Sequence, residues 1–371
     1  MSITVVLTTK GRHLHTLRWL WHHNRIGLPF EVIIADGEVV EPVARLLDDR
    51  TAFPNLRYRY LRYDDRSRAD FRRKLADVTG RVETPYLFLS DNDDFILPGL
   101  LGAAARFLDG HPDYLCAGGP VGNFAVWNAL SADPLQGVTG DLYSVSYDRM
   151  TSYEEPEPMQ RLQRYFDHRS HMFYFVNRAD FMHETFCNIS NLKLHSFDTW
   201  EHSLYLGMLL RGKTAVLPGM GYFRQIGTSQ THASNRGWIN QLFFGDWMAD
   251  FTAMANTLAA DAQRLAAIDP DVYRTWLRQR FCDMIGHGRA VASVRHSRLP
   301  FGLRERLRDI GILRTVKRRR RLRAVERHLA DLGADPAGLT QFRCDMAAVS
   351  ETLAGPAFRR FVADRAPELL R

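Results

Sequence analysis

Short apolar runs that end in polar residues alternate with helical patterns along the first part of this chain. That alternation limits the fold more than any other feature. Residues 4–8 (TVVLT), 31–36 (EVIIAD), 57–62 (RYRYLR) and 86–90 (YLFLS) read as strands. The first, second and fourth have the continuous apolar character of buried parallel strands. Leu14, Leu17 and Leu20 mark a helix after the first strand, Val40 to Leu47 a second and Ala69 to Val78 a third. Strand–helix–strand units of this kind build an α/β fold with a mostly parallel sheet and helices on both faces. Open sheets of that type bind ligands at the carboxyl ends of their strands. The polar residues to follow are therefore Thr8, Thr9, Lys10, Gly11 and Arg12, then Asp36 and Gly37, then everything after Leu89.

Further along, residues 100–108 form a helical pattern and the Pro/Gly-rich stretch 118–140 reads as irregular. His171 to Val176 reads as a strand, Trp200 to Leu210 as a helix ended by Gly212, and Val216-Leu217 and Gly221 to Phe223 as short strands. From about Trp238 the pattern is helical to the end, without repeats. The expected division is an α/β domain over 1–238 and a helical domain over 239–371. With 371 residues, 45% hydrophobic and 25% charged, the chain suits a soluble globular protein of that size. Its opening residues lack a leader pattern, and no run approaches the ~18 apolar residues of a membrane span. The four cysteines are dispersed and read as reduced structural thiols. The expected setting is cytoplasmic.

The strongest chemical signal is Tyr86-Leu-Phe-Leu-Ser-Asp91-Asn92-Asp93-Asp94-Phe-Ile-Leu-Pro98. Asp91, Asp93 and Asp94 repel one another at the end of a buried strand, and a divalent cation removes that repulsion. Mg2+ or Mn2+ takes hard oxygen ligands and commonly binds through one or two carboxylates plus substrate phosphates. The alternative is local: Asp and Asn are common in turns and helix caps, and Asp94 stands just before an apolar run.

This segment resembles the DXD region of GT-A fold glycosyltransferases, particularly the family 2 type. The opening TVVLTTKGR resembles that family's first strand and loop, and Glu31 to Gly37 its second strand, whose terminal Asp contacts the nucleotide base. The resemblance spans roughly residues 3–235 and rests on the order of loose motifs. It departs from the family in ending the second strand on a single Asp, and in carrying Arg72-Arg73-Lys74 where an Asn is common before the DXD strand. The resemblance implies a nucleoside-diphosphate sugar donor, UDP-sugar first among them. Thr8, Thr9, Arg12, Asp36, Lys74, Asp91 and Arg224 are the candidate donor contacts. Asp91 and Asp93 are the candidate metal ligands, joined by His232, since some GT-A enzymes use a His in this part of the chain.

Inverting transfer needs a carboxylate to take the acceptor hydroxyl's proton on the face opposite the leaving diphosphate. In the resembling family such a carboxylate opens a helix and is followed three residues later by Leu and eleven later by Gly. Glu201 meets that register with Leu204 and Gly212. Asp198 is its rival, as base, helix cap or partner of Glu201. Both carboxylates also suit the positive end of a helix for purely structural reasons.

Arg224 can clamp a phosphate through two parallel hydrogen bonds. His171, Tyr174, Trp200 and Trp238 are aromatic groups able to stack on a sugar or simply to pack. The net charge of +7 is concentrated: Arg289 to Arg327 holds 14 Lys/Arg against three acids, 14 − 3 = +11, which leaves 7 − 11 = −4 elsewhere. Leu303 to Leu332 also carries apolar residues at 322, 325, 329 and 332. A basic amphipathic helix of this kind lies on anionic membrane surfaces, here the inner face of the plasma membrane. The alternatives are a solvated face or nucleic-acid binding, the latter disfavoured by the lack of interleaved aromatics.

The reading is thus a metal-dependent inverting glycosyltransferase acting on a surface glycan, a lipid-linked glycan or a protein. A nucleotidyltransferase is the alternative enzyme, opposed by the absence of a Gly-rich phosphate loop with Lys after the first strand. A nucleic-acid-binding protein using the Arg-rich helix is the alternative outside enzymes.

Overall fold

The computed structural model describes residues 3–127, 133–192, 194–227, 247–292 and 311–371. Strands β1 (Ile3–Thr9), β2 (Glu31–Asp36), β3 (Arg57–Arg62) and β4 (Tyr86–Asp91) lie where the apolar runs place them. Helices α1 (His13–Ile26), α2 (Glu41–Asp48) and α3 (Arg68–Thr79) connect them. β1 pairs in parallel with both β2 and β4, and β2 with β3. β1 is buried along its whole length, whereas the edge strand β3 exposes its two terminal arginines.

After the two-residue strand β5 (Phe95–Ile96) come α4 (Pro98–Gly110), β6 (Tyr114–Gly118), β7 (Val121–Trp127) and β8 (Asp141–Asp148). Then follow α5 (Pro158–Asp167), β9 (Val176–Arg178), α6 (Ala179–Ser190), α7 (Phe197–Arg211), β10 (Lys213–Val216) and β11 (Tyr222–Gln225). The main sheet has the order β10-β6-β9-β4-β1-β2-β3, with β9 antiparallel to both neighbours. β2 and β3 lie on one side of β1 and the later strands on the other. The chain therefore reverses direction of sheet growth at β1, and the crevice between the carboxyl ends of β1 and β4 is the switch point where such sheets bind ligands.

Two local expectations change. The stretch 118–140 is not irregular throughout, because it contains β7, which joins β8, β11 and β5 in a second sheet. Gly122 reads as a loop residue, yet it serves a strand: a Cβ there would meet the Phe223 ring at 2.4 Å. The expected strand at His171 to Val176 is a 3-10 turn, Met172–Tyr174, leading into β9.

Among the described residues the chain beyond β11 is helical, as expected, over Trp247–Ala266, Pro270–Ala292, Gly311–Asp331, Pro336–Ala354 and Pro356–Arg365. The expected boundary at 238/239 lies outside the described residues. Among the described residues, the C-terminal helices pack into the cores of the two sheets. Trp247–Ala266 packs on α7 in the core on one face of the main sheet, and Phe358 and Val362 join the core on the other. Helices Gly311–Asp331 and Pro336–Ala354 cover the second sheet.

This packing corrects the reading of the basic helix. Val325 and Leu329 are 1% exposed and Leu322 is partly buried, all against the second sheet. Three of the four apolar positions assigned to a bilayer are thus used by the protein core, Leu332 stays 36% exposed, and the outward face carries exposed Lys317, Arg319, Arg320, Arg323 and Arg327. Among the described residues no helix is long and apolar enough to cross a membrane.

Candidate active site

A cleft of about 430 Å³ opens at the carboxyl ends of β1 and β4, with α3, α7 and the end of β11 as its other walls. Of the residues singled out in the sequence, Thr8, Thr9, Arg12, Lys74, Asp91, Asp93, Asp198, Glu201 and Arg224 all line it. Residues more than 200 positions apart thus share one cavity. Asp36 does not join them. Asp36 is buried behind the wall, where its Oδ1 accepts from Thr9 Oγ1 and the Glu38 amide, and its Oδ2 from the Tyr60 hydroxyl. His232 lies outside the described residues, as does Trp238.

The acidic loop has three differently used carboxylates. Asp91 is in register with Thr8 across the β1–β4 pair, so Thr8 Oγ1 donates to Asp91 Oδ1 at 3.1 Å. The Tyr174 hydroxyl donates to Oδ2 at 2.8 Å. Burial, helped by the charge of Asp93, still raises the Asp91 carboxyl above its ordinary range. Asp94 is 2% exposed, and both its oxygens hold the second sheet to the loop: Oδ2 accepts from Tyr222 at 2.6 Å and Oδ1 from the Gln225 amide at 2.7 Å. Asp93 carries an ion pair with Arg12. Behind the loop the fully buried Arg18 donates to the Asp93 carbonyl and to Gln225 Oε1, and lies over the Phe95 ring.

The donor set fits Mg2+ or Mn2+ at Asp91 and Asp93. Both line the cleft with hard oxygens, and an oxygen that accepts one hydrogen bond keeps a second lone pair. Asp94 also borders the cleft but fits less well: it is 2% exposed, whereas Asp91 is only partly buried, and its bonds to Tyr222 and the Gln225 amide are part of the contact between the sheets. Among the described residues no set of three His, Cys, Asp or Glu side chains converges to hold a metal. Two carboxylates suit an ion whose remaining ligands come from substrate phosphate and water.

The wall formed by α3 is cationic. Lys74 Nζ, 1% exposed, stands 2.7 Å from Asp65 Oδ2 and 3.3 Å from the Thr9 carbonyl oxygen. Burial lowers the Lys74 pKa, and the nearby Asp65 charge opposes that. Lys10 reaches Asp65 Oδ1 at 3.5 Å. Gly37 makes room for this pair, since a Cβ there would lie 2.6 Å from the Asp65 Cβ. Asp65 is a site residue the sequence reading missed. It follows the carboxyl end of β3, so the strand-end rule that selected Asp36 would also have found it. Arg224, from β11, faces the same cleft; burial opposes its charge, and Tyr174, Asp94 and Asp91 more than offset that.

α7 supplies the remaining wall. The Ser196 hydroxyl caps its first turn by accepting from the Thr199 amide. Asp250, 1% exposed on helix Trp247–Ala266, accepts from the backbone N–H of His195 and Ser196 at 2.8 and 2.6 Å and so fixes where the helix begins. Asp198 and Glu201 both face the cleft from this end. Glu201 Oε1 accepts from the Tyr205 hydroxyl at 2.5 Å and meets His171 Nδ1 at 3.4 Å. No described partner takes Oε2. Tyr205 is buried beside Tyr165, whose hydroxyl lies 2.9 Å from His202 Nδ1. Trp200 is core, packed among Phe71, Phe173, Phe186 and Phe197. Phe71, Phe173 and Phe197 give the cleft its apolar surface.

No protein-family model matches this sequence, and none of the curated proteins compared with it is similar at a meaningful level. Among solved structures the chain is similar to S. aureus TarS. With its 1–349 fragment it shares 12% identity at a TM-score of 0.46, covering 97% of this chain and 92% of that one. With the same fragment in complex with UDP-GlcNAc the values are 12% and 0.45, covering 74% and 69%. A longer TarS structure is matched at 12% and 0.45 over 77% of this chain, which spans 43% of that chain. At these identities and scores the assignment of residues rests on the geometry of the cleft itself.

Proposed function

We propose that this chain is an inverting glycosyltransferase that moves a sugar from a nucleoside-diphosphate sugar, a UDP-sugar first among them, to an acceptor hydroxyl on a glycan, a lipid-linked glycan or a protein. One observation carries the reading. A single cleft at the β1/β4 switch point gathers the two kinds of group that such a transfer requires. Cations and hard carboxylate oxygens suited to a diphosphate occupy the sheet end. A hydrogen-bonded carboxylate suited to proton removal occupies α7.

Each residue then has a task. Arg224 and Arg12 offer guanidinium groups to phosphate oxygens. Lys74 and Lys10 keep the neighbouring wall positive, and Thr8 and Tyr174 hold Asp91 in place. Asp91 and Asp93 would hold Mg2+ or Mn2+, which supplies Lewis-acid stabilisation to the departing diphosphate. Glu201, oriented by Tyr205, accepts the proton of the attacking hydroxyl. Inversion brings the attacking hydroxyl, and with it the base, to the face away from the leaving group. Asp198, one turn earlier on the same wall, is the alternative base.

The test is Glu201→Gln, which keeps shape and removes the proton acceptor. Turnover should fall roughly 10²–10⁴-fold with donor affinity retained. An active Glu201→Gln beside a dead Asp198→Asn would move the role to Asp198.

We further propose that helix Gly311–Asp331 meets an anionic membrane surface chiefly through charge, since Leu322, Val325 and Leu329 are packed on the second sheet and Val316 is the exposed large apolar residue left to it among those whose side chains are described.

A further inference from the structure

Arg12 is the residue whose placement is hardest to account for by folding alone. It follows Gly11, and the two have φ of +50° and +61° respectively. Residues with a Cβ rarely adopt that left-handed region, because the Cβ crowds the following carbonyl oxygen. Arg12 also stands at the N-cap of α1 without making a side-chain cap hydrogen bond. What the conformation achieves is an ion pair: the Arg12 guanidinium rests on Asp93, with 24% of the Arg12 side chain and 6% of that of Asp93 exposed.

The other members of the acidic loop are secured in different ways. Asp91 is held by Thr8 and Tyr174, and Asp94 by Tyr222 and the Gln225 amide, with Arg18 buried behind. Asp93 forms an ion pair with a side chain that itself lines the cleft. A guanidinium and a divalent cation compete for the same carboxylate charge. A diphosphate, in contrast, attracts both.

Resting on the reading of the cleft as a metal–diphosphate site, we infer that Arg12 is the resident counter-ion of Asp93 and is exchanged when donor and metal arrive. In the free protein it neutralises Asp93 and weakens binding of a divalent cation. When a diphosphate enters, Arg12 transfers to phosphate oxygen and Asp93 becomes available as a ligand. Metal and nucleotide binding are then coupled through one side chain, and the coupling is reciprocal. The arrangement keeps the cleft from holding a bare metal ion while no donor is bound.

The experiment measures Mn2+ binding, by the loss of the free-ion paramagnetic resonance signal, with and without UDP. It compares wild type, Arg12→Asn and Arg12→Lys. Asn tolerates the left-handed backbone, so the first variant should fold, and a melting curve checks it. Arg12→Asn should bind Mn2+ alone roughly tenfold more tightly than wild type, and the gain that UDP confers should shrink by a similar factor. Arg12→Lys, which keeps a cation, should stay close to wild type in Mn2+ binding without UDP. Equal Mn2+ affinity in wild type and Arg12→Asn, with an unchanged gain from UDP, would overturn the exchange while leaving the metal site standing. Failure of both proteins to bind Mn2+ even with UDP would overturn the exchange and the metal reading together.

Discussion

His171 Nδ1 lies 3.4 Å from Glu201 Oε1, so the proposed base has a titrating partner of its own. Burial opposes the Glu201 charge, and the hydrogen bonds and charge of His171, with the Tyr205 hydroxyl, outweigh it and bring the carboxyl down to about 2. The same contact raises His171 above 6.5, against the effects of burial and of Arg224 and with a small lift from Asp148. A carboxylate paired with an imidazolium is a weak proton acceptor. The rate should therefore climb as pH rises through the raised His171 value and releases Glu201, the two groups titrating as a pair. His171→Gln should move that acid limb to lower pH, and a limb that stays in place would remove His171 from the account. For stability the signs are opposite. The Glu201 share is present above 4.5 and lost as pH falls towards 2, while the His171 share is present below 6.5 and lost as pH rises through its folded value. The His171 side chain is 58% exposed, so solvent screens the pair and the rate profile is the better observable.

Asp93 and Asp94 are adjacent but should fail differently. Asp94→Ala removes the acceptor of the Tyr222 hydroxyl and of the Gln225 amide, each buried, at about 1–3 kcal/mol per unsatisfied donor. Its thermal midpoint should drop by several degrees. Asp93→Ala should melt close to wild type and abolish turnover. The two melting curves, read beside activity, decide between a structural and a ligand role for each.

Asp250 sets the start of the helix that carries Glu201. Asp250→Ala leaves the amides of His195 and Ser196 without their acceptor and should cost about 2–4 kcal/mol, measured by chemical denaturation. Because α7 begins there, turnover should fall more than donor affinity. A stable, fully active variant would show that α7 is held by other contacts.

Vesicle binding tests the basic helix. Cosedimentation with phosphatidylglycerol vesicles should be strong at low salt and weak at high salt, each engaged Lys or Arg contributing about 1 kcal/mol. Changing Lys317, Arg319, Arg320 and Arg323 to Ser should abolish it without altering activity on a soluble acceptor. Salt-insensitive binding, or equal binding to neutral vesicles, would contradict a contact made chiefly by charge.

Much of this was legible in the sequence, for identifiable reasons. β1, β2 and β4 declare themselves because strands buried on both faces are continuously apolar, and the acidic loop because three carboxylates in four residues need an explanation. Glu201 was legible only through family register. β7 and β8 were hidden because Gly122 and the serines at 144 and 146 look like loop residues when no partner strand is in view. Asp250 was beyond reach, since its role depends on amides some 55 residues away in the chain. The apolar stripe at 322, 325, 329 and 332 was read as a face for a membrane, whereas its first three positions pack on the second sheet. Periodicity reports that a face is covered and is silent on what covers it.

The central claim is that this cleft holds a nucleoside diphosphate together with a divalent ion. Calorimetric titration with UDP, in Mn2+ and in EDTA, tests it most directly. Binding should saturate at one site and be at least roughly tenfold tighter in Mn2+ than in EDTA, with that gain lost in Asp93→Ala. No saturable binding of UDP or any other nucleoside diphosphate, or binding that Asp93→Ala leaves unchanged, would contradict it.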